Sequence, residues 1–169
     1  MIIICNVNLL CYIINMSLKY HDLPFGAQLL LWTSRVFFYG SCRTKPSKYD
    51  LVDIAFSKVG INDGPVLLKK YLYILRIENK LHLQPICIQN LTESEINLID
   101  CIEDHKTSNF NNNFYIKLWG LDSISESFTK SASNLALAFK KANLDTNLNY
   151  YKKANNEREV PHYIYKTLH

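Results

Sequence analysis

An all-α fold, a compact single-domain bundle of five or six helices, is expected from three observations on this 169-residue sequence. Helix-start signals recur ahead of apolar residues at helical spacing, most clearly in Thr92-Glu93-Ser94-Glu95. Five Gly and five Pro are too few for a loop-rich β-sandwich or a large α/β nucleotide fold. The chain is 48% hydrophobic and 20% charged, which suits one domain with a real core and excludes a disordered or fibrous protein.

The elements follow in order. Asp22-Leu23-Pro24 is an Asp cap with Pro in the first turn of a first helix. Leu29, Leu30, Trp32, Arg35, Val36 and Phe37 continue it, nearly apolar all round, and Gly40 is expected to close it in the left-handed conformation. Ser47-Lys48-Tyr49-Asp50 is a capping box with Asp for Glu, opening a helix with Leu51, Ile54, Ala55 and Val59 inward and Gly60 at its end. Asn62-Asp63-Gly64-Pro65 starts a third helix, with Leu67, Leu68, Tyr71, Leu72 and Leu75 inward. Residues 81–88 read as a short extended segment broken by Pro85. The Thr92 box starts a helix that packs Ile96, Ile99 and Ile102, and residues 106–113, with four Asn, form a loop. A short helix over 114–121 precedes a long one started by Asp122 or Ser123, with Ile124, Phe128, Leu135 and Phe139 on one face.

The ends are set apart from this domain, which spans 16–144. Residues 1–15, MIIICNVNLLCYIIN, are nearly all apolar but have no basic residue before Lys19 and no small-residue cleavage site. Asn6, Asn8 and Asn15 interrupt the run, which falls short of the roughly 20 apolar residues of a spanning helix. Cys11 follows Leu10 rather than the small residue of a lipoprotein site. The segment reads as an appendage, with Met16 the more natural start; a short membrane anchor is the other reading. Residues 145–169 read as a polar, loosely ordered tail. Beyond Met16 only Cys42, Cys87 and Cys101 remain, which is no disulfide framework, so a reduced cytoplasmic setting is expected.

Charge is segmented. Residues 35–80 carry nine basic and four acidic groups, 91–126 two and seven, and 130–169 seven and three. One basic and one acidic face, or complementary faces packed together, would follow. The overall formal charge of +4 is mild and permits a nucleic-acid partner without demanding one.

Chemistry-bearing motifs are weak. Residues 50–76 look like a helix-turn-helix pair, with Lys69, Lys70 and Arg76 placed to meet DNA phosphates. A recognition helix needs a polar face to read base edges, and only those three and Tyr73 offer one. His82, Cys87, Cys101 and His105 have zinc-type side chains at loose spacing, without a C-x2-C knuckle, so no metal site is expected. No hydrolase, nucleotide-loop or metalloprotease motif occurs, the five His are scattered, and Glu95 is explained by its capping box. No catalytic residue and no cofactor are therefore assigned.

The order Leu29-Leu30-Leu31-Trp32, Cys42-Arg43, Val59-Gly60 and Leu91-Thr92-Glu93-Ser94-Glu95 is similar to that of a group of small uncharacterised alphaproteobacterial proteins, over residues 23–144. The resemblance implies an all-helical fold and no activity. It agrees with a residue usage rich in Asn, Ile and Lys (17, 17 and 15), types with AT-rich codons, against 7 Ala. The expectation is a non-enzymatic protein-interaction or regulatory module of the bacterial cytoplasm, whose partner is another protein or itself. A DNA-binding regulator using residues 50–76 is the alternative, and a small membrane-associated protein anchored by residues 1–15 comes third.

Overall fold

In a computed structural model, residues 18–40, 47–77, 81–121 and 123–149 are described. They form six α-helices and no strand: α1 (Phe25–Tyr39), α2 (Lys48–Lys58), α3 (Gly64–Ile77), α4 (Glu93–Thr107), α5 (Asn112–Trp119) and α6 (Glu126–Lys141). The apolar stretch 1–15, the proposed start at Met16 and the tail from 150 lie outside the described residues. Among the described residues no helix is long and apolar enough to cross a membrane.

The first helix is central, as its all-round apolar character suggests: Ala27, Leu30, Leu31 and Val36 are wholly enclosed. Thr33 and Ser34 share this interior because their hydroxyls donate back to the carbonyls of Leu29 and Leu30 (2.7 Å each). Its ends differ from expectation. Pro24, not Asp22, holds the N-cap position and makes no side-chain cap. A residue before proline is driven to extended backbone, and Leu23 (φ −71°, ψ 151°) separates Asp22 from the first turn. Asp22 instead closes a 3-10 turn, Tyr20–Asp22. Gly40 does end the helix with positive φ (77°), but its ψ of −170° is extended rather than left-handed helical.

Both capping boxes form. Ser47 Oγ accepts from Asp50 N while Asp50 Oδ2 accepts from Ser47 N (3.1 Å), and Thr92 and Glu95 do the same at α4. In α2 the buried stripe is turned from the expected one: Val52 and Phe56 are enclosed, Leu51, Ala55 and Val59 half-buried, and Ile54 exposed. The α3 set is as read except that Leu67 is only half-buried. The last two helices also begin off their expected residues. Asn111 caps α5 through a bond to Phe114 N, and Ser125 caps α6 through Phe128 N (3.1 Å each).

The long helix α6 packs along both α3 and α4. Phe128 meets Tyr71 (5.3 Å between ring centroids), and Phe139 meets Phe56 (6.2 Å). Aromatic burial on this scale supplies much of a small core's stability. Because Phe56 precedes α3 and Tyr71 lies well inside it, α6 runs antiparallel to α3. At its far end Asn143, left-handed at φ 52°, lets Leu144 N donate to Phe139 O (2.9 Å).

The chain then stays on the bundle instead of leaving it as a polar tail at 145. Ala27 N donates to Asp145 O (3.1 Å), Thr146 and Leu148 are buried, and Thr146 Oγ1 donates to Glu103 Oε2 (2.6 Å). The polar composition of 145–149 conceals this, because the two enclosed side chains, Thr146 with its bonded hydroxyl and Leu148, are enough to hold the segment. Residues 81–92 form no strand. They cross the bundle as irregular chain with Leu81, Leu83 and Leu91 buried, joined to Lys19 by one isolated bridge at Asn90.

Candidate interaction groove

The turn after α2, the first turns of α3 and the last turns of α6 enclose an open groove of about 580 Å³. Its floor and near wall are Val59, Gly60, Ile61 and Leu67; Leu137, Ala138 and Ala142 form the far wall. The near wall is built by a Schellman closure, with Gly60 N donating to Ser57 O (3.1 Å) and Ile61 N to Phe56 O (3.0 Å). Gly60 adopts φ 77°, which a residue with a Cβ rarely does. The far wall is a second stripe of α6, the i, i+3, i+4, i+7 set Asn134, Leu137, Ala138 and Lys141, distinct from the buried stripe of Phe128, Leu135 and Phe139.

Leu137 is 49% exposed, a large aliphatic side chain facing water on an otherwise polar helix surface. Charge at the groove is mixed, Asp63 on one side and Lys141 on the other. Lys58 and Lys140 stand in the last turns of α2 and α6, where a cation complements the helix dipole. Of these charges only Asp63 and Lys141 line the groove, one of each sign; Lys140 lines a separate hollow with Lys106 and Asp145. The exposed lining is more polar than apolar, with Leu137 its largest exposed aliphatic side chain.

A second cluster lies where α4, α5 and α6 meet. His105 Nδ1 is 3.0 Å from Ser133 Oγ, and the imidazole stacks on Phe110 (3.7 Å), which stacks on Tyr115 (5.0 Å). Tyr115 donates to Asp104 Oδ2 (2.6 Å). Burial lowers the His105 pKa to about 4, against the opposing pull of the Asp104 charge. Burial, then the bond to Asp104, raises that of the Tyr115 phenol. Serine beside neutral histidine is a nucleophile-and-base arrangement in outline. Here Asp104 is engaged by Tyr115, and Ser133 sits mid-helix, where backbone N–H groups are taken up by the helix and cannot hold an oxyanion. The geometry makes an aromatic stack that props α5 against the bundle.

Lys69, Lys70 and Arg76 are all exposed and share the outer face of α3 with Val66 and Tyr73. None of the three makes an ion pair among the described residues; Arg76 lies over the Phe38 ring (5.3 Å). In the acidic stretch three carboxylates are engaged internally: Glu95 pairs with Arg35, Glu103 with Lys106, and Asp104 accepts from Tyr115. The candidate zinc ligands are not assembled: His82 and Cys87 are exposed while Cys101 is enclosed, its thiol pKa raised by burial. Among the described residues no three His, Cys, Asp or Glu side chains come together as a metal site.

The groove residues escaped the sequence reading because each wall is unremarkable alone. Leu137 falls off the apolar stripe of α6, but a single exposed aliphatic residue is common on any surface and singles out no site.

Compared with known proteins, the chain matches no family model, no curated protein and no solved structure.

Proposed function

We propose that this protein is a non-enzymatic interaction module of the bacterial cytoplasm that acts by binding a partner protein in the groove between the α2–α3 turn and α6. The observation that carries this reading is an open cleft between two helix ends with the half-exposed, off-stripe Leu137 on its wall. The partner supplies a short segment with an apolar side chain to cover Leu137 and a carboxylate for Lys141. Free thiols at Cys87 and Cys101 suit a reducing compartment.

Selection from a displayed random-peptide library tests it, with wild-type protein as bait and Leu137→Lys for counter-selection. Lys is a good helix former and Leu137 is half exposed, so the fold should survive. Enriched peptides with apolar residues beside Asp or Glu, bound by wild type and lost by the variant, are expected. Peptides that bind both proteins equally, or no enrichment at all, would contradict the reading.

A further inference from the structure

The outer face of α3 carries a feature the groove does not use. Over its 14 residues α3 contains Lys69, Lys70 and Arg76 and no acidic residue. Val66, Lys69, Lys70, Tyr73 and Arg76 are all exposed and fall at i, i+3, i+4, i+7 and i+10, which on a helix is one continuous stripe. The cations from Lys69 to Arg76 extend about 10 Å along the axis at 1.5 Å per residue. In the middle Tyr73 is 60% exposed, an aromatic ring standing free between positive charges.

At the C-terminal end of α3 the pattern continues onto neighbouring helices. Arg76 lies 5.3 Å from the Phe38 ring of α1, and Lys48 at the start of α2 sits 5.3 Å from the Tyr49 ring and 5.9 Å from that of Phe37. Tyr39 and Tyr49 are 56% and 55% exposed. Lys48 is partly buried and donates to Phe37 O (3.2 Å), so the free cations of this surface are Lys69, Lys70 and Arg76, with Tyr73 the exposed ring among them. The groove lies at the opposite end of the α2–α3 hairpin.

We infer that this surface binds single-stranded nucleic acid, its Tyr73 ring stacking on a base and its cations meeting phosphates. An exposed ring among cations is what a flexible strand with splayed bases can use, since every base has a π-face. A duplex keeps its bases stacked within the helix and would leave the Tyr73 ring face idle. An acidic peptide would satisfy the lysines without needing the ring. The inference uses different residues from the groove, so either can fail alone.

The test is fluorescence anisotropy of the full chain with labelled 20-mer oligo-dT and oligo-U, a matched duplex, and heparin as competitor, near 50 and 200 mM salt. Both single strands should bind at least about tenfold more tightly than the duplex and weaken steeply with salt. Tyr73→Ala should weaken single-strand binding by at least about fivefold, as loss of one stacked base implies. Lys69→Ala and Lys70→Ala should each reduce the salt slope by about one. All three side chains are exposed, and circular dichroism should show unchanged folding. Absence of single-strand binding at the lower salt would overturn the inference. So would duplex binding as tight as single-strand binding, or lysine-dependent affinity indifferent to Tyr73→Ala and matched by heparin, which would describe a general polyanion or acidic-protein surface.

Discussion

Arg35 and Glu95, sixty positions apart, meet in the interior as a fork-to-fork pair: Nε donates to Oε1 at 2.8 Å and Nη2 to Oε2 at 2.9 Å, with both side chains at most 1% exposed. The pair organises the irregular chain between α3 and α4. Arg35 also donates to Ile88 O (2.6 Å), while the Glu95 carboxylate accepts from Gln84 N (2.7 Å) and Thr92 N (3.0 Å). Glu95 is thus capping-box residue and buried counter-ion at once. Burying two charges carries a desolvation cost, and the several added hydrogen bonds are what offset it.

Removing either partner leaves the other charge enclosed and unpaired. Arg35→Ala or Glu95→Ala should each cost about 3–5 kcal/mol, with the double variant well short of the sum. Urea denaturation of the four proteins measures this, and additive losses would mean the two side chains act separately.

Gly26 is a tighter constraint than its place in the first turn of α1 suggests. A Cβ there would run into the backbone of Asp145. Gly26→Ala should therefore destabilise by about 1–3 kcal/mol, as overpacking does, although alanine is the better helix former. Amide exchange should also show residues 144–148 losing protection. A more stable Gly26→Ala protein would show that 145–149 does not dock as described.

Acid should weaken the fold through His105. Its unfolded pKa is near 6.5 and its folded value about 4, so between the two the unfolded chain binds more protons. Its contribution is complete above about pH 6.5 and is lost as pH falls towards 4. His105→Asn should flatten the fall of the urea midpoint over that window. An unchanged slope would place the acid sensitivity elsewhere.

At α4 the capping box should be measurable on its own. Thr92 Oγ1 accepts from Glu95 N and donates to His82 O (2.8 Å), so Thr92→Ala should lose about 1–2 kcal/mol, the upper part of the range for such caps. Thr92→Ser should recover most of it. A Ser variant no better than Ala would assign the effect to the methyl group instead.

Sequence legibility followed the range of the interactions. Both capping boxes were readable because Ser47 and Asp50, or Thr92 and Glu95, interact within one turn. The all-α class and the central first helix were readable from periodicity. Arg35 was visible only as one more residue of an apolar helix, since nothing local points to a partner sixty positions away. In α2, Leu51, Ile54, Ala55 and Val59 formed a plausible apolar stripe, and Ile54 nevertheless faces water because Val52 and Phe56 fill the interior side. The candidate groove was invisible for the same reason as Arg35: the α2–α3 turn and the end of α6 become neighbours only when α3 and α6 pack antiparallel.

A partner protein docked in this groove would perturb the residues that line it. A two-dimensional amide NMR titration of the 15N-labelled full chain with a library-selected peptide reads this directly. Saturable shifts confined to Val59, Gly60, Leu67, Leu137, Ala138 and Lys141, abolished by Ala138→Arg, are the expected result. Shifts on the outer face of α3 with the groove silent, or binding unchanged by Ala138→Arg, would contradict it.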